Sequence, residues 1–401
     1  MPAYFRTEMM LAELARNGDL WALARVLKIS TFAAAMLNGR VEMRWALRAM
    51  VVALVVLLAG SGAWATERDS VSEGHSEGVN PVTIIFDHIS DAHEWHIFTA
   101  GDLHVTVPLP VILYSRARGS WHVFMSSRFH HGHAEYEGFS LQRDGKDGPF
   151  RVVEAGMADA PRPLDFSITK NVVGLFFASI VLVWVFVSVA RRYKRNALEA
   201  PKGLQNALEP LILFVRDDIA VPSIGAKADR FMPFLLTIFF FILLNNLMGL
   251  IPIFPAGANL TGNITVTMTL ALFTFLMTTL NGNKHYWKDI FNTPGMPTFL
   301  KMPIPLMPIV EVAGMFTKPV VLMIRLFANM LAGHMIALVF VCLIFLFGAL
   351  NQAAAYSISP VSVFFVIFMT MLDLLVSFIQ AYVFTMLSAL YFGMATAGEE
   401  H

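Results

Sequence analysis

Cysteine, charge and nucleotide-binding loops are what this chain has least of. One cysteine, Cys342, sits inside an apolar run, which excludes disulfides within the chain and any Cys-rich metal cage. No phosphate loop of the GxxxxGKS or GxxxxGKT kind occurs, so ATP chemistry does not reside here. Charged residues make up 14% of the 401, and 29 Lys plus Arg balance 29 Asp plus Glu. A net charge of zero leaves no basic footprint for nucleic acid. Apolar residues fill the space, at 56% with a mean hydropathy of +0.60, which is the composition of a polytopic membrane protein.

From Met43 the sequence MRWALRAMVVALVVLLAGSGAWA sets Arg44 and Arg48 ahead of an apolar core, with Ala63 and Ala65 at the cleavage positions. Residues 43–65 therefore read as a secretory signal peptide, with an uncleaved membrane anchor as the alternative. Residues 1–42 are an unusually long leader, and Met43 reads as the true start, although MLAELARNGDLWALARVL would also suit an amphipathic helix.

Residues 66–170 are polar, short in apolar runs and dotted with Gly, Pro and Asp. LHVTVPLPVILYS and SWHVFMSS alternate and are bounded by turn formers, which predicts a few β-strands in a small exported domain. Nine of the 12 histidines lie here. The run DHISDAHEWH could gather Asp87, His88, His93 and His96 as metal ligands, but no recognised ligand spacing occurs, and solvated surface histidines are the plainer expectation.

Residues 171–401 read as the membrane domain. Val172 to Ala190 is uncharged and measures about 28 Å as a helix, enough to cross a hydrocarbon core of roughly 30 Å. Arg191 to Arg195, RRYKR, follows at once and puts that end in the cytoplasm by the positive-inside rule. Gly203 to Ala220 is too short and too charged to span. Its residues Leu204, Leu208, Leu211, Ile212 and Val215 share a face that suits either the cytoplasmic membrane surface or a protein neighbour. Phe231 to Leu250 re-crosses with Asn245 and Asn246 near its far end, and Ile264 to Leu280 returns. Ile304 to Leu350 would measure about 70 Å as one helix, so it must be steeply inclined. After the turn NQAAAYSISP, Val361 to Met394 makes a second overlong helix, and the tail ends in the cytoplasm. The expected fold is an all-α polytopic membrane protein of about five membrane-embedded helices, including a long inclined C-terminal hairpin, plus the small exported domain with β content.

One residue in that hairpin is costly. Arg325 stands in PVVLMIRLFANMLAGH among apolar, small or uncharged neighbours, Lys318 and His334 apart. Its pKa is too high for it to escape by losing a proton, so it must meet a partner, water or another protein. At about 100° per residue, Glu311, Lys318, Arg325 and Asn329 fall within roughly 40° of one another, while His334 lies about 180° from Arg325. Arg325 is either tied to a carboxylate of its own chain, for which Glu311 and Asp373 are available, or meets a carboxylate of another subunit. The second is favoured, because both acids sit well away along their helices.

On the last helix Thr370, Asp373, Ser377 and Gln380 share a stripe. If the two helices fold back on each other, facing residues have position numbers with a nearly constant sum, and one register pairs His334 with Asp373 and Arg325 with Gln380. His334 and Asp373 then form a titratable pair on the exported half. Glu311 marks a polar path on the cytoplasmic half. Arg325 stands between them, where it cannot relay a proton but can block leakage and lower the pKa of an approaching acid.

KPVVLMIRLFANMLAGH, the GLQNALEPLILFVRD helix, the helix bearing Gln380 and the EEH end together resemble subunit a of F-type ATP synthase, over about Val172 to His401. The resemblance implies a proton-translocating subunit with two offset half-channels beside a rotating ring of c subunits, and an essential arginine, Arg325, facing the ring carboxylate. Asn329, Gln380, Glu311 and Lys318 match polar positions of the family pattern, and with Ser377, His334 and Asp373 they make the expected proton path. His334 and Asp373 depart from the common bacterial form, which has Glu first and His second, so the exported half-channel should persist with an altered pH response. The implied partners are the c-subunit ring, subunit b and the rest of the complex, in a bacterial inner membrane, with the mature N-terminus exported. No cofactor is expected, and no catalysis by the chain alone. The exported domain lies outside the resemblance. A rival reading, a secondary transporter with its own midplane ion site, calls for inverted repeats, and no convincing repeat is found.

Overall fold

The computed structural model describes residues 89, 91–100, 103–132, 134–143, 150–154, 162–195, 203–251, 257–291 and 306–397. The leader, the signal peptide, His88 and the EEH end lie outside the described residues. Seven short strands come first: β1 (Glu94–Ala100), β2 (Leu103–Pro108), β3 (Pro110–Ser115), β4 (Ser120–Met125), β5 (Phe139–Arg143), β6 (Phe150–Glu154) and β7 (Leu164–Asp165). They pair antiparallel as three small sheets, β1–β2, β4–β3–β7 and β5–β6. Period-two alternation decides what each strand buries. Val111, Leu113 and Phe124 turn inward and pack with Phe129, Phe139 and Val152 as one core. Phe124 meets Phe129 edge-on, with ring centroids 5.2 Å apart. Gly119, at φ 64°, provides the left-handed residue of the β3–β4 turn.

The sheets run into the helices without slack. The Phe166, Ile168 and Lys170 N–H groups donate to the carbonyls of Ile112, Pro110 and Ala92 at 2.8, 3.0 and 3.0 Å, and α1 (Lys170–Arg195) begins there. Asp91 accepts the Thr169 hydroxyl at 2.8 Å and the Asn171 N–H at 3.1 Å, which satisfies a donor of the first helical turn. Burial pushes the Asp91 carboxyl up, and these donors with Lys170 and His93 pull it only part of the way back. His93 is buried, with Nε2 2.8 Å from Asp165 Oδ2, and so it is not the solvated surface histidine expected of it. Burial alone would lower its pKa, but the bond to Asp165 and the carboxylate charge win and hold it above its ordinary value. Burial would raise Asp165, yet His93 and Ser167 carry it below the usual carboxylate range. Among the described residues no group of three His, Cys, Asp or Glu gathers to hold a metal, and of the candidate ligands Asp87, His88, His93 and His96 only the His93 side chain is described.

The helical part contains α2 (Leu204–Phe214), α3 (Ala228–Leu250), α4 (Ile264–Leu280), α5 (Lys284–Phe291), α6 (Leu306–Leu350) and α7 (Gln352–Thr396). Among the described residues four stretches are long and apolar enough to cross a membrane: α1, the α2–α3 run, α6 and α7. The pair α4–α5, bent by 102°, makes a fifth if it is counted as one span. Phe231, Met232, Leu235, Phe239 and Ile242 of α3 are buried in one core with Leu322, Leu326 and Met330 of α6 and Phe384 and Phe392 of α7; α3 packs on α7, and α6 packs on α7 and α4. Of the apolar face expected on α2, Leu208, Leu211 and Ile212 pack on this core and Val215 is buried in it, whereas Leu204 stays exposed, so the segment is held by protein. Gly393 of α7 lies directly against the Ser223 carbonyl, where a side chain would not fit.

Helices α6 and α7 have 45 residues each, about 67 Å. The ten-residue turn expected between them shrinks to Asn351, whose Oδ1 accepts the Ala353 N–H at 3.1 Å and caps α7. The rest of that stretch turns helical because its alanines favour the helix, while the Ser357 and Ser359 hydroxyls bond the carbonyls of Ala353 and Ala355 four residues back. Phe340 and Phe365 stack at 5.0 Å across the hairpin.

The His93–Asp165 pair makes the β-rich segment pH-sensitive. A raised His93 stabilises fully below about pH 6.5 and loses its contribution as pH rises through the folded-state value, whereas a lowered Asp165 contributes above about pH 4 and loses it on acidification. Resistance of this segment to added protease should therefore be greatest between about pH 4 and 6.5 and decline on the alkaline side, and Asp165→Asn should flatten that decline. An equally steep alkaline decline in the variant would assign it to another group.

Candidate functional site

On α6 the periodicity that buries Leu322, Leu326 and Met330 leaves Arg325 and Asn329 exposed on the neighbouring face. Among the described residues the guanidinium makes no hydrogen bond and no ion pair, so the own-chain pairing with Glu311 or Asp373 is not formed. Its charge reaches Tyr391 of α7. Gln380 is buried on α7, and among the described residues no hydrogen bond joins it to Arg325.

Towards the Asn351 end lies the first polar patch. Asp373 is 8% exposed, and its carboxylate lies over Gly333, where a methyl group would collide with it. His334 is close enough for its charge to act on Asp373, but its ring points elsewhere, with Nδ1 3.0 Å from the Met330 carbonyl and Nε2 3.3 Å from the Gly249 carbonyl at the end of α3. A neutral imidazole carries one N–H, so only the imidazolium donates to both carbonyls. One turn on from Asp373, Ser377 is fully buried and its hydroxyl has no partner. Its carbonyl accepts from Asn246 Nδ2 at 3.3 Å, and Asn246 Oδ1 accepts the Thr261 hydroxyl at 2.7 Å. Asn245 Oδ1 is likewise buried without a partner. Unpartnered oxygens in a buried polar cluster are where water belongs.

A second patch lies on the other side of Arg325. The Lys318 ammonium sits 5.7 Å from the centre of the Tyr391 ring, and both residues line a cavity of about 20 Å³ with Thr274, Thr278, Tyr286 and Met315, room for about one water. Glu311 is half-buried, and its charge reaches Tyr286. Along α6, Lys318 is about 10 Å and His334 about 14 Å from Arg325. The structure thus brings together His334, Asp373 and Ser377 on one side and Lys318 and Glu311 on the other, with Arg325 and Asn329 between. Sequence reasoning did not assign Asn246, Thr261, Tyr286 or Tyr391 to the site. Adjacent amides in an apolar helix were the available hint for the first, while the tyrosines lie on other helices and are joined to the site only by folding.

The profile described as ATP synthase A chain matches residues 172–393, and one described only as a domain of unknown function matches residues 84–166. ATP synthase subunit a of Chloroherpeton thalassium is 44% identical over 244 residues, which cover 59% of this chain and 69% of that protein. The subunit a of Pelodictyon phaeoclathratiforme is 44% identical over 260 residues, covering 63% and 72%, and that of Myxococcus xanthus 44% over 244, covering 59% and 76%. The matched stretch holds the long hairpin, the exposed arginine and both polar patches, and the chain belongs to the ATP synthase A chain family.

Proposed function

We propose that this chain is the proton-translocating subunit of the membrane sector of an F-type ATP synthase, working beside a ring of c subunits and held by subunit b. The observation that carries this is Arg325: a permanent cation exposed on an apolar helix, without a carboxylate of its own chain among the described residues, between two separate polar patches. Family membership supports this over a transporter that binds its own substrate.

The patch of His334, Asp373, Ser377 and Asn246 is the exported half-channel, and the patch of Glu311, Lys318, Tyr286 and Tyr391 the cytoplasmic one. Gln380 and Asn329 flank the arginine. A proton enters beside Asp373 and is taken by a ring carboxylate, which then travels neutral through lipid. When that acid next reaches Arg325, the cation favours its ionised form. At about 4 Å and an effective dielectric constant near 20 the attraction is roughly 4 kcal/mol, about three pKa units, enough to release the proton at neutral pH. The proton leaves by the cytoplasmic patch. Arg325 never gives up its own proton, so it separates the two paths while it discharges the carrier. The driving work is about 2.3 kcal/mol per elementary charge per 100 mV. Arg191 to Arg195 at the end of α1 support a cytoplasmic position for that end and, with it, an exported domain at residues 66–170; an inner-membrane location, with residues 43–65 removed as a signal peptide, belongs to the same reading.

Arg325→Ala should abolish ATP synthesis driven by respiration in membrane vesicles, a loss of at least about 100-fold; normal synthesis would remove the assignment. Asp373→Asn should slow passive proton uptake by vesicles about tenfold, measured with a fluorescent pH probe. Gly333→Ala adds one methyl and no charge, but it displaces the Asp373 carboxylate and should slow uptake in the same way. Unchanged flux through a fully assembled Gly333→Ala complex would take Asp373 off the path.

A further inference from the structure

The β4–β3–β7 sheet spends one face on its own core, and its other face is nearly as apolar yet open. Trp121, Val123 and Met125 are 61%, 67% and 44% exposed, and the strand register sets them beside Tyr114, Ile112 and Pro110 of β3. Trp121 lies with its ring 5.1 Å from Tyr114 and 5.6 Å from Phe166, which extends the apolar row to the chain leaving β7. A sheet with one face in water normally turns polar residues outward. A contiguous open apolar face of this kind marks a contact surface.

Three features point to its occupant. The hydrogen bonds from Phe166, Ile168 and Lys170 hold the sheet up to the residue at which α1 begins, and four residues of extended chain reach at most about 14 Å. The sheet is therefore tethered close to the headgroup layer of the bilayer that α1 enters. The exposed row combines Trp and Tyr with aliphatic side chains, the mixture that suits a membrane–water boundary. At the Tyr114 end, Arg116 in the turn after β3 and Arg162 just ahead of β7 are both exposed and offer cations for lipid phosphates. We propose that the face formed by Trp121, Val123 and Met125 rests on the lipid surface of the membrane crossed by α1, with its apolar side chains at the acyl boundary and Arg116 and Arg162 on the phosphates.

The test uses the full chain with Cys342→Ser, reconstituted in phosphatidylcholine–phosphatidylglycerol vesicles, with a nitroxide placed by Val123→Cys, by Met125→Cys or, as the water-exposed reference, by Glu135→Cys. Relaxation by oxygen, which concentrates in lipid, is compared with relaxation by an aqueous nickel chelate. The expected result is an oxygen-to-nickel ratio several-fold higher at positions 123 and 125 than at position 135. Equal ratios at all three positions would overturn the proposal. So would spin–spin broadening at position 123 that disappears on dilution with unlabelled chain, which would make a second copy the occupant. Shielding that appears only in the assembled complex would make the occupant another polypeptide and overturn it equally.

Discussion

A guanidinium on an apolar helix is a constraint that no adjustment within the side chain relieves. A lysine or an acid in the same place could shed its charge, whereas an arginine keeps it at any pH a cell meets. Everything near Arg325 follows from that permanence. Leu322, Leu326 and Met330 on the adjoining face belong to the buried core, and α6 packs along α7 and α4, which leaves the cation on the open side. Among the described residues the acids of the hairpin stay away: Asp373 is buried against Gly333 and Glu311 lies on the far side of Lys318, so neither pairs with the charge.

The same economy governs Gly333. A carboxylate buried between two closely packed helices needs room, and a missing side chain opposite it gives that room while leaving the backbone ladder intact. Next to it, His334 keeps both ring nitrogens on carbonyl oxygens, so the imidazole and the carboxyl group sit close together without being bonded to each other. Ser377, with its unpartnered hydroxyl, and the amide of Asn246 extend the polar surface inward along α3. The polar cluster is thus assembled from α3 and from both arms of the hairpin.

Most of the architecture was legible from residue patterns, because helices in an apolar medium announce themselves by length and by where charge stops. Arg325, His334 and Asp373 stood out for the same reason. The boundaries were less visible. The ten residues from Asn351 to Pro360 read as a turn, but in the structure all except Asn351 belong to α7, since alanine and back-bonded serine hydroxyls are at home in a helix once its neighbours are packed. The apolar face of α2 read equally well as lying on lipid or on protein, and the packing of Leu208, Leu211 and Ile212 on the core, with Val215 and Ile219 buried just beyond the helix, separates the two. The Lys318–Tyr391 contact was not legible at all, because a cation over a ring depends on a crossing that periodicity does not encode. His93 was misjudged from its polar surroundings, when the residue that buries and holds it, Asp165, lies 72 positions away.

Two arms of 45 residues meeting at Asn351 form a fork with a one-residue crown. A tangential push on the middle of one arm is shared with the other through the stacked pair of Phe340 and Phe365 and through the crown, so the arms lean together and do not slide. The spacing of the two polar patches along α6 is then a fixed gauge, set by the rise of a helix.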